Sequence, residues 1–245
     1  MKKLKVVIYG SKGRMGKALL SSIDENPSFE LSGTIDEEES LEAVSKTDAV
    51  IDFSHAEATE RVLRKCMELG KIIVIGTTGH NNELRSLISE ASKVIPVIFS
   101  PNYSVGVNTL FWLSRKAAEI VGPEYDAEVI EIHHHLKKDA PSGTARRLAE
   151  ILTEVRGLDY EQDVRHGREG MVGERTLNEI GVHAVRGGDV VGDHTVLLAA
   201  PGDRIELIHR ASSRETFARG ALRAALWARD QKSGLYDMQD VLGLS

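Results

Sequence analysis

Apolar residues in the first hundred positions follow two alternating rhythms. Short, β-branched runs read as strands at 6–9, 29–35, 49–53, 71–75 and 94–99. Between them the spacing turns helical, as in Met15, Leu19, Leu20 and Ile23, then over about 56–69 and again in a stretch ending near Ser92. Near-continuous apolar strands separated by amphipathic helices belong to a parallel sheet covered on both faces. Right-handed crossovers between such strands predict a Rossmann-like, doubly wound α/β sheet.

The rhythm changes after Tyr103. A helix is expected from about Asn108 to Val121, stopped by Gly122-Pro123, followed by a strand over 127–133. Beyond a charged, glycine-bearing loop at 165–173, strand-like runs at 182–185, 195–199 and 205–208 are separated by Gly187-Gly188-Asp189 and Pro201-Gly202-Asp203. These turn signals look like hairpins and predict a second, more antiparallel sheet. Residues 213–229 are helical again, with Phe217, Ala221, Leu222, Ala225 and Leu226 on one face.

Composition narrows the function classes. The 245 residues, with 41% hydrophobic and 28% charged side chains, are those of a globular chain and exclude collagen, coiled coil and disorder. A net charge of −6 argues against broad nucleic-acid or anionic-membrane binding, while leaving room for a local basic pocket. One cysteine, Cys66, excludes an intrachain disulfide and a multi-cysteine zinc site, and its apolar helical setting predicts a buried, inert thiol. The apolar run at 6–9 is too short for a signal peptide, and no stretch approaches the ~18 residues of a membrane span, so a soluble cytoplasmic protein is the default expectation.

Gly10-Ser11-Lys12-Gly13-Arg14-Met15-Gly16 joins the first strand to the first helix. Its glycines would let the backbone approach a pyrophosphate that rests on the helix N-terminus. Asp36 follows Gly16 by 20 residues and ends the second strand, where a carboxylate can accept hydrogen bonds from a ribose diol. Gly76-Thr77-Thr78-Gly79 and Ser100-Pro101-Asn102-Tyr103 follow the fourth and fifth strands, at the edge where open α/β sheets bind ligands. Each is also readable as a turn with a helix cap, supplied by Thr78 or Asn81 in the first case.

The run from Glu131 to Thr144, EIHHHLKKDAPSGT, holds the densest chemistry. Three readings stand beside each other. His133 and His135 share a strand face and could begin a metal site, although no third ligand is evident. The segment could be a solvated polar loop. As an active site it offers imidazole for proton transfer, ammonium for anions, and at Ser142, Gly143 and Thr144 a helix start for a carboxylate.

The glycine loop, the Gly76–Gly79 turn, Pro101–Asn108 and the His133–Thr144 block, in this order, closely resemble the dihydrodipicolinate reductase family. The resemblance continues through Gly188–Thr195 and Ala211–Arg214 to the end of the chain. It implies a dinucleotide-binding domain from residues 1–103 and 213–245, with an inserted α+β domain at 104–212. The inserted domain's open mixed sheet would bind substrate and assemble a homotetramer. The implied activity is NAD(P)H-dependent reduction of 4-hydroxy-tetrahydrodipicolinate to tetrahydrodipicolinate, with loss of water, in diaminopimelate and lysine biosynthesis.

By matching position His133 would be the proton donor, assisted by Lys137. His134, Ser142, Gly143, Thr144 and Arg214 would bind substrate, with Arg14 adding positive charge. Gly10, Ser11, Lys12, Gly13, Arg14, Met15, Asp36, Gly76, Thr77, Thr78, Ser100, Pro101, Asn102 and Tyr103 would line the cofactor, and no metal is implied. Two departures stand out: His135 occupies a position where the family often has arginine, and Glu37-Glu38-Glu39 follow Asp36 where users of NADPH tend to carry a basic residue. NADH is therefore the expected preference over NADPH. A redox-sensing regulator, or another nicotinamide reductase of small acids such as an aspartate dehydrogenase, would share the glycine loop and Asp36. The regulator would leave the His133–Thr144 cluster unexplained.

Overall fold

A computed structural model describes residues 2–244. The chain forms two compact units, one of residues 1–105 and 214–245, the other of 106–213. The first begins with β1 (Leu4–Tyr9), α1 (Arg14–Asp24), β2 (Phe29–Ile35), a 3-10 turn (Leu41–Lys46), β3 (Ala49–Asp52), α2 (Ala56–Leu69), β4 (Ile72–Ile75), α3 (Asn82–Ala91) and β5 (Pro96–Phe99). The second contains α4 (Val105–Val121), β6 (Asp126–His133), α5 (Gly143–Arg156), α6 (Tyr160–Asp163), β7 (Val164–His166), β8 (Ile180–Arg186), β9 (Gly192–Ala200) and β10 (Asp203–Ala211). The chain then returns to the first unit with α7 (Glu215–Ala228), β11 (Gly234–Tyr236) and α8 (Met238–Leu242).

The first sheet is parallel throughout, in the order β11-β5-β4-β3-β1-β2. Alternation along β1 divides its residues between two layers. Val6 and Ile8 pack with Leu19, Ala221 and Leu222 of α1 and α7, whereas Val7 and Tyr9 pack with Val62, Leu63 and Ile88 of α2 and α3. Cys66 lies in the second layer, fully buried, and burial pushes its thiol up. Asn81 caps α3, its Oδ1 accepting the Leu84 N–H at 2.8 Å, and leaves Thr78 exposed. Helix α7 sits so close to the segment after β5 that a Cβ on Gly220 would lie 1.7 Å from the Tyr103 carbonyl oxygen. The edge strand β11 carries no periodic signal, because three residues are too few to show one; pairing with β5 makes it a strand.

The second sheet runs β10-β9-β6-β8-β7. Helices α4 and α5 cover one face, where Val107, Leu110, Ala145, Leu148 and Leu152 meet Val129, Val182, Val196 and Leu198. The Pro201-Gly202-Asp203 turn does form a hairpin, joining antiparallel β9 and β10. The hairpin expected at Gly187-Gly188-Asp189 does not form. There β8 and β9 flank β6 on opposite sides, β8 parallel to it and β9 antiparallel, so the connection crosses over the central strand. Glycine turn residues mark a reversal of direction but not which strands it joins.

Candidate active site

Strand β6 alternates faces, and Ala127, Val129, Glu131 and His133 all turn toward the covered side. Register supplies the partners. His194 on β9 stands opposite Glu131, and Arg186 on β8 stands opposite His133. Glu131 has 0% exposure. Its Oε2 accepts His133 Nδ1–H at 2.5 Å and its Oε1 accepts the Ser142 backbone N–H at 3.0 Å. Arg186 donates to both oxygens, at 2.8 and 2.9 Å. Burial works to raise the Glu131 pKa, but the bonds from His133 and Arg186 outweigh it and hold the carboxyl at about 2.

The ring of His194 meets that of His133 edge-on, with centroids 5.1 Å apart. Burial first, and the neighbouring His133 charge second, push His194 down to about 3, so it is neutral in ordinary buffers. A Cβ on Gly192 would approach His133 Nε2 to 2.8 Å, and glycine keeps that nitrogen clear. Past β6 the chain is clipped to the β8–β9 connection: His134 N–H donates to Val190 O at 2.8 Å and His135 Nδ1–H to Gly188 O at 2.8 Å. His133 and His135 thus spend their Nδ1 atoms on different partners rather than converging as ligands. Lys137 Nζ pairs with Asp139 Oδ1 at 2.9 Å.

Helix α5 opens next to this cluster. Gly143 is exposed and Thr144 half-buried in its first turn, which carries no acidic residue. Ser142 differs from its expected role. Its hydroxyl is buried, caps the helix by accepting Ala145 N–H at 3.2 Å, and lies 3.1 Å from His194 Nε2. The side chain is therefore committed to structure.

In the first unit, Gly10 has φ +86°, and a Cβ there would sit 2.6 Å from the Phe53 carbonyl oxygen, so glycine is required. Helix α1 starts from Gly13 with no side-chain cap and no acid in its first turn; Lys12, Gly13 and Arg14 are exposed. Asp36 accepts Ser11 Oγ–H at 2.8 Å and the Lys12 N–H at 3.1 Å. Lys12 Nζ lies 3.5 Å from Asp36 and 3.0 Å from Glu39. Arg61, arriving from α2, donates to the Glu37 and Glu39 carbonyls at 2.9 and 2.8 Å. A depression of about 390 Å³ lined by Met15, Phe53, Ser54, Gly76, Thr77 and Thr78 lies at the ends of β3 and β4.

Two expected cofactor contacts need correcting at the level of the side chain. Tyr103 is buried, with its hydroxyl 2.9 and 3.0 Å from the Ile75 and Ile98 carbonyl oxygens, where it ties β4 to β5. Thr77 is buried and its hydroxyl donates to Asp52 at 3.1 Å. Only their main chains can face a ligand. Ser100 Oγ–H donates to Asn102 O at 2.9 Å, closing the turn on which Pro101 is exposed and Asn102 half-buried. Arg214 is half-buried at the N-cap of α7, and its carbonyl accepts Phe217 N–H.

Sequence reasoning gave Asp139 only the role of bracing the turn before Ala140-Pro141 and assigned none to Glu131, Arg186 or Arg61. Only Glu131 had a usable signal, since it stands two residues before His133 on an alternating strand and so shares its face.

The description "Dihydrodipicolinate reductase, N-terminus" matches residues 4–103, and "Dihydrodipicolinate reductase, C-terminus" matches 106–242. A 4-hydroxy-tetrahydrodipicolinate reductase of Akkermansia muciniphila is 52% identical over 243 residues, spanning 99% of each chain. Its counterpart from Syntrophotalea carbinolica is 44% identical over 98% of this chain and 99% of its own. Among solved structures, a dipicolinate-bound dihydrodipicolinate reductase from Paenisporosarcina sp. TG-14 superposes with a TM-score of 0.79, at 24% identity over 97% of this chain and 98% of that one. GenD2 from gentamicin A biosynthesis, in complex with NAD, shares the fold at a TM-score of 0.62 and 11% identity, over 100% of this chain and 91% of that one.

The site's electrostatics predict acid sensitivity. Glu131 and Glu128 both fall from an ordinary 4.5 to about 2; Glu128 is held down, against burial, by Arg168, His183 and Arg175. Because the folded values lie below the unfolded ones, their stabilisation is fully present above about pH 4.5 and is lost as pH falls through about 2. Because His194 is held down to about 3 from an ordinary 6.5, urea unfolding from pH 7 to 2.5 should show stability falling below about 6.5 and more steeply below about 4.5, where the two glutamates add to it. Glu128→Gln should flatten that slope, and an unchanged slope would contradict the assignment.

Proposed function

The chain belongs to the dihydrodipicolinate reductase family, and on that premise we propose how its residues carry out the reduction of 4-hydroxy-tetrahydrodipicolinate. The enzyme is an oxidoreductase that uses a nicotinamide cofactor. The observation that carries the reading is the Glu131–His133 pair ending β6, next to Lys137 and the opening turn of α5. A dicarboxylate needs cations and N–H donors, and its reduced ring needs a proton; this stretch offers both.

The residues of the first unit fit a dinucleotide. The uncapped start of α1 can receive a pyrophosphate, and Asp36 lies beside the glycine loop where a ribose would be held. Gly10–Met15, Asp36, Gly76–Thr78 and Ser100–Tyr103 are proposed to form that site, the last through main chain at Tyr103. When bound, the cofactor supplies the hydride. His133 then delivers a proton from Nε2, the nitrogen left open beside Gly192. Lys137 and the Gly143–Thr144 turn are proposed to hold the carboxylates, with His134 alongside.

His133→Gln should lower turnover by roughly 10²–10⁴-fold while leaving NADH affinity nearly unchanged. Lys137→Ala should weaken dipicolinate binding as well as turnover. Both are read from NADH oxidation with 4-hydroxy-tetrahydrodipicolinate and from dipicolinate titration; wild-type turnover, or unchanged dipicolinate affinity, would remove the residue from its role.

NADH is proposed as the preferred cofactor, with NADPH accepted less well. A 2′-phosphate would bring about two negative charges toward Asp36 and Glu39, and like charges at ~4 Å cost about 1 kcal/mol even in water. Lys12 is already balanced by these two carboxylates, and Arg61 is occupied by carbonyl groups. The ratio of kcat/KM for NADH over NADPH at fixed ionic strength should exceed one. A clear NADPH preference would reverse the reading and point to Lys12 or Arg61 as the phosphate contact.

A homotetramer is also proposed. The face of the second sheet opposite α4 and α5 carries Ile130, Ile132 and Thr195, with Val185 at 45% and Ile208 at 47% exposure, and β10 is a nine-residue edge. Closed symmetric assembly buries such surfaces. Light scattering should give four times the 26.9 kDa chain mass, and a monomer at assay concentration would refute it.

A further inference from the structure

We infer that Glu131, clamped by Arg186, is a positioning residue that fixes the proton-bearing pattern of His133, and that Arg186 also anchors the loop carrying Lys137. The inference deepens the proposed role of His133 and rests on it. An ionised carboxylate only accepts hydrogen bonds, so His133 Nδ1, 2.5 Å from Oε2, must hold a hydrogen. That leaves Nε2 as the nitrogen that gains and loses the transferred proton, and Gly192 keeps its approach open. The carboxylate itself has little freedom to turn. It receives four hydrogen bonds: one from His133, one from Ser142 N–H and two from Arg186.

Arg186 extends the constraint. Its Nη2 also donates to the Asp139 carbonyl at 2.6 Å, and Asp139 holds Lys137 Nζ at 2.9 Å through its side chain. One guanidinium therefore braces both groups proposed to act on substrate. A purely architectural role fits less well. A buried ion pair is a weak source of stability, and apolar residues of similar volume often serve as well or better. What apolar residues cannot do is orient an imidazole. His194, the other ring packed on His133, lies 3.1 Å from Ser142 Oγ and has no bond to His133, so it does not compete for Nδ1.

The test uses Glu131→Gln, whose amide can donate to Nδ1 and reverse the tautomer, together with Glu131→Gln/Arg186→Met, which removes both charges if the single variant folds poorly. Imidazole ¹⁵N shifts of the wild-type enzyme at alkaline pH should show His133 protonated on Nδ1 and bare on Nε2. In the variants that pattern should be lost and kcat should fall about 10²-fold or more, with NADH affinity unchanged within twofold. In a His133→Gln background, adding Glu131→Gln should cost less than about threefold, because residues acting as one unit are not additive. A folded variant with wild-type kcat, fully multiplicative losses, or an Nε2–H tautomer in the wild type would overturn the inference while leaving His133 as proton donor. A His133→Gln enzyme that retains its turnover would overturn the proton-donor reading, and this inference with it.

Discussion

Taking a carboxylate wholly out of water, on the central strand of a five-stranded sheet, costs several kcal/mol unless every lone pair is engaged. Glu131 meets that condition through neighbours on three different elements: Arg186 from β8, Ser142 from the start of α5, and His133 from its own strand. Each bond sets the position of something else. The bond to Ser142 sets where α5 begins, and so where its first-turn N–H groups lie. The bonds to Arg186 hold the end of β8 against β6. The arrangement of the second unit's chemistry follows from one charge that has to be satisfied.

The first unit has no such centre and is organised by backbone. Its ligand-facing edge consists of the ends of β1 to β5, and the side chains there mostly seal turns. Asp52 is the extreme case, fully buried and bonded to Ser54, Thr59 and Thr77, with burial pushing its carboxyl up against those bonds. Tyr103 similarly bridges two strand ends. Side chains that lock the turns leave the main chain to meet a pyrophosphate. That suits a ligand recognised by N–H groups and close approach rather than by shape of side chain.

This contrast explains what the sequence could disclose. The parallel sheet was legible because fully buried strands such as β3 and β4 are almost unbroken apolar runs between helical spacings. The glycine loop and Asp36 were legible because a local spacing encodes them. Arg186, 55 positions from Glu131, was not, since the parallel pairing of β8 with β6 depends on a crossover that no turn residue announces. The separate β8–β9 connection, which passes over β6, misled the hairpin reading at Gly187-Gly188-Asp189. Ser142 and Tyr103 illustrate a second limit. Sequence marks a polar residue at a site, but burial decides whether its hydroxyl faces a ligand or a carbonyl.

An acidic protein that takes an anionic substrate must keep cations at its site without leaving them either unpaired or unavailable. Here Arg186 and Lys137 are each matched with a carboxylate, and exposure sorts the two pairs. Arg186 faces Glu131 at 0% side-chain exposure, a contact that cannot be exchanged without stranding a buried charge. Lys137, its side chain 21% exposed, faces Asp139, whose side chain is 61% exposed and keeps contact with water. In the proposed role of Lys137, an incoming carboxylate would take the place of Asp139, which regains its hydration as it leaves. The same carboxylate cannot displace Glu131 from Arg186. The lysine remains exchangeable and the arginine fixed, and the difference lies in the depth at which each partner carboxylate is buried.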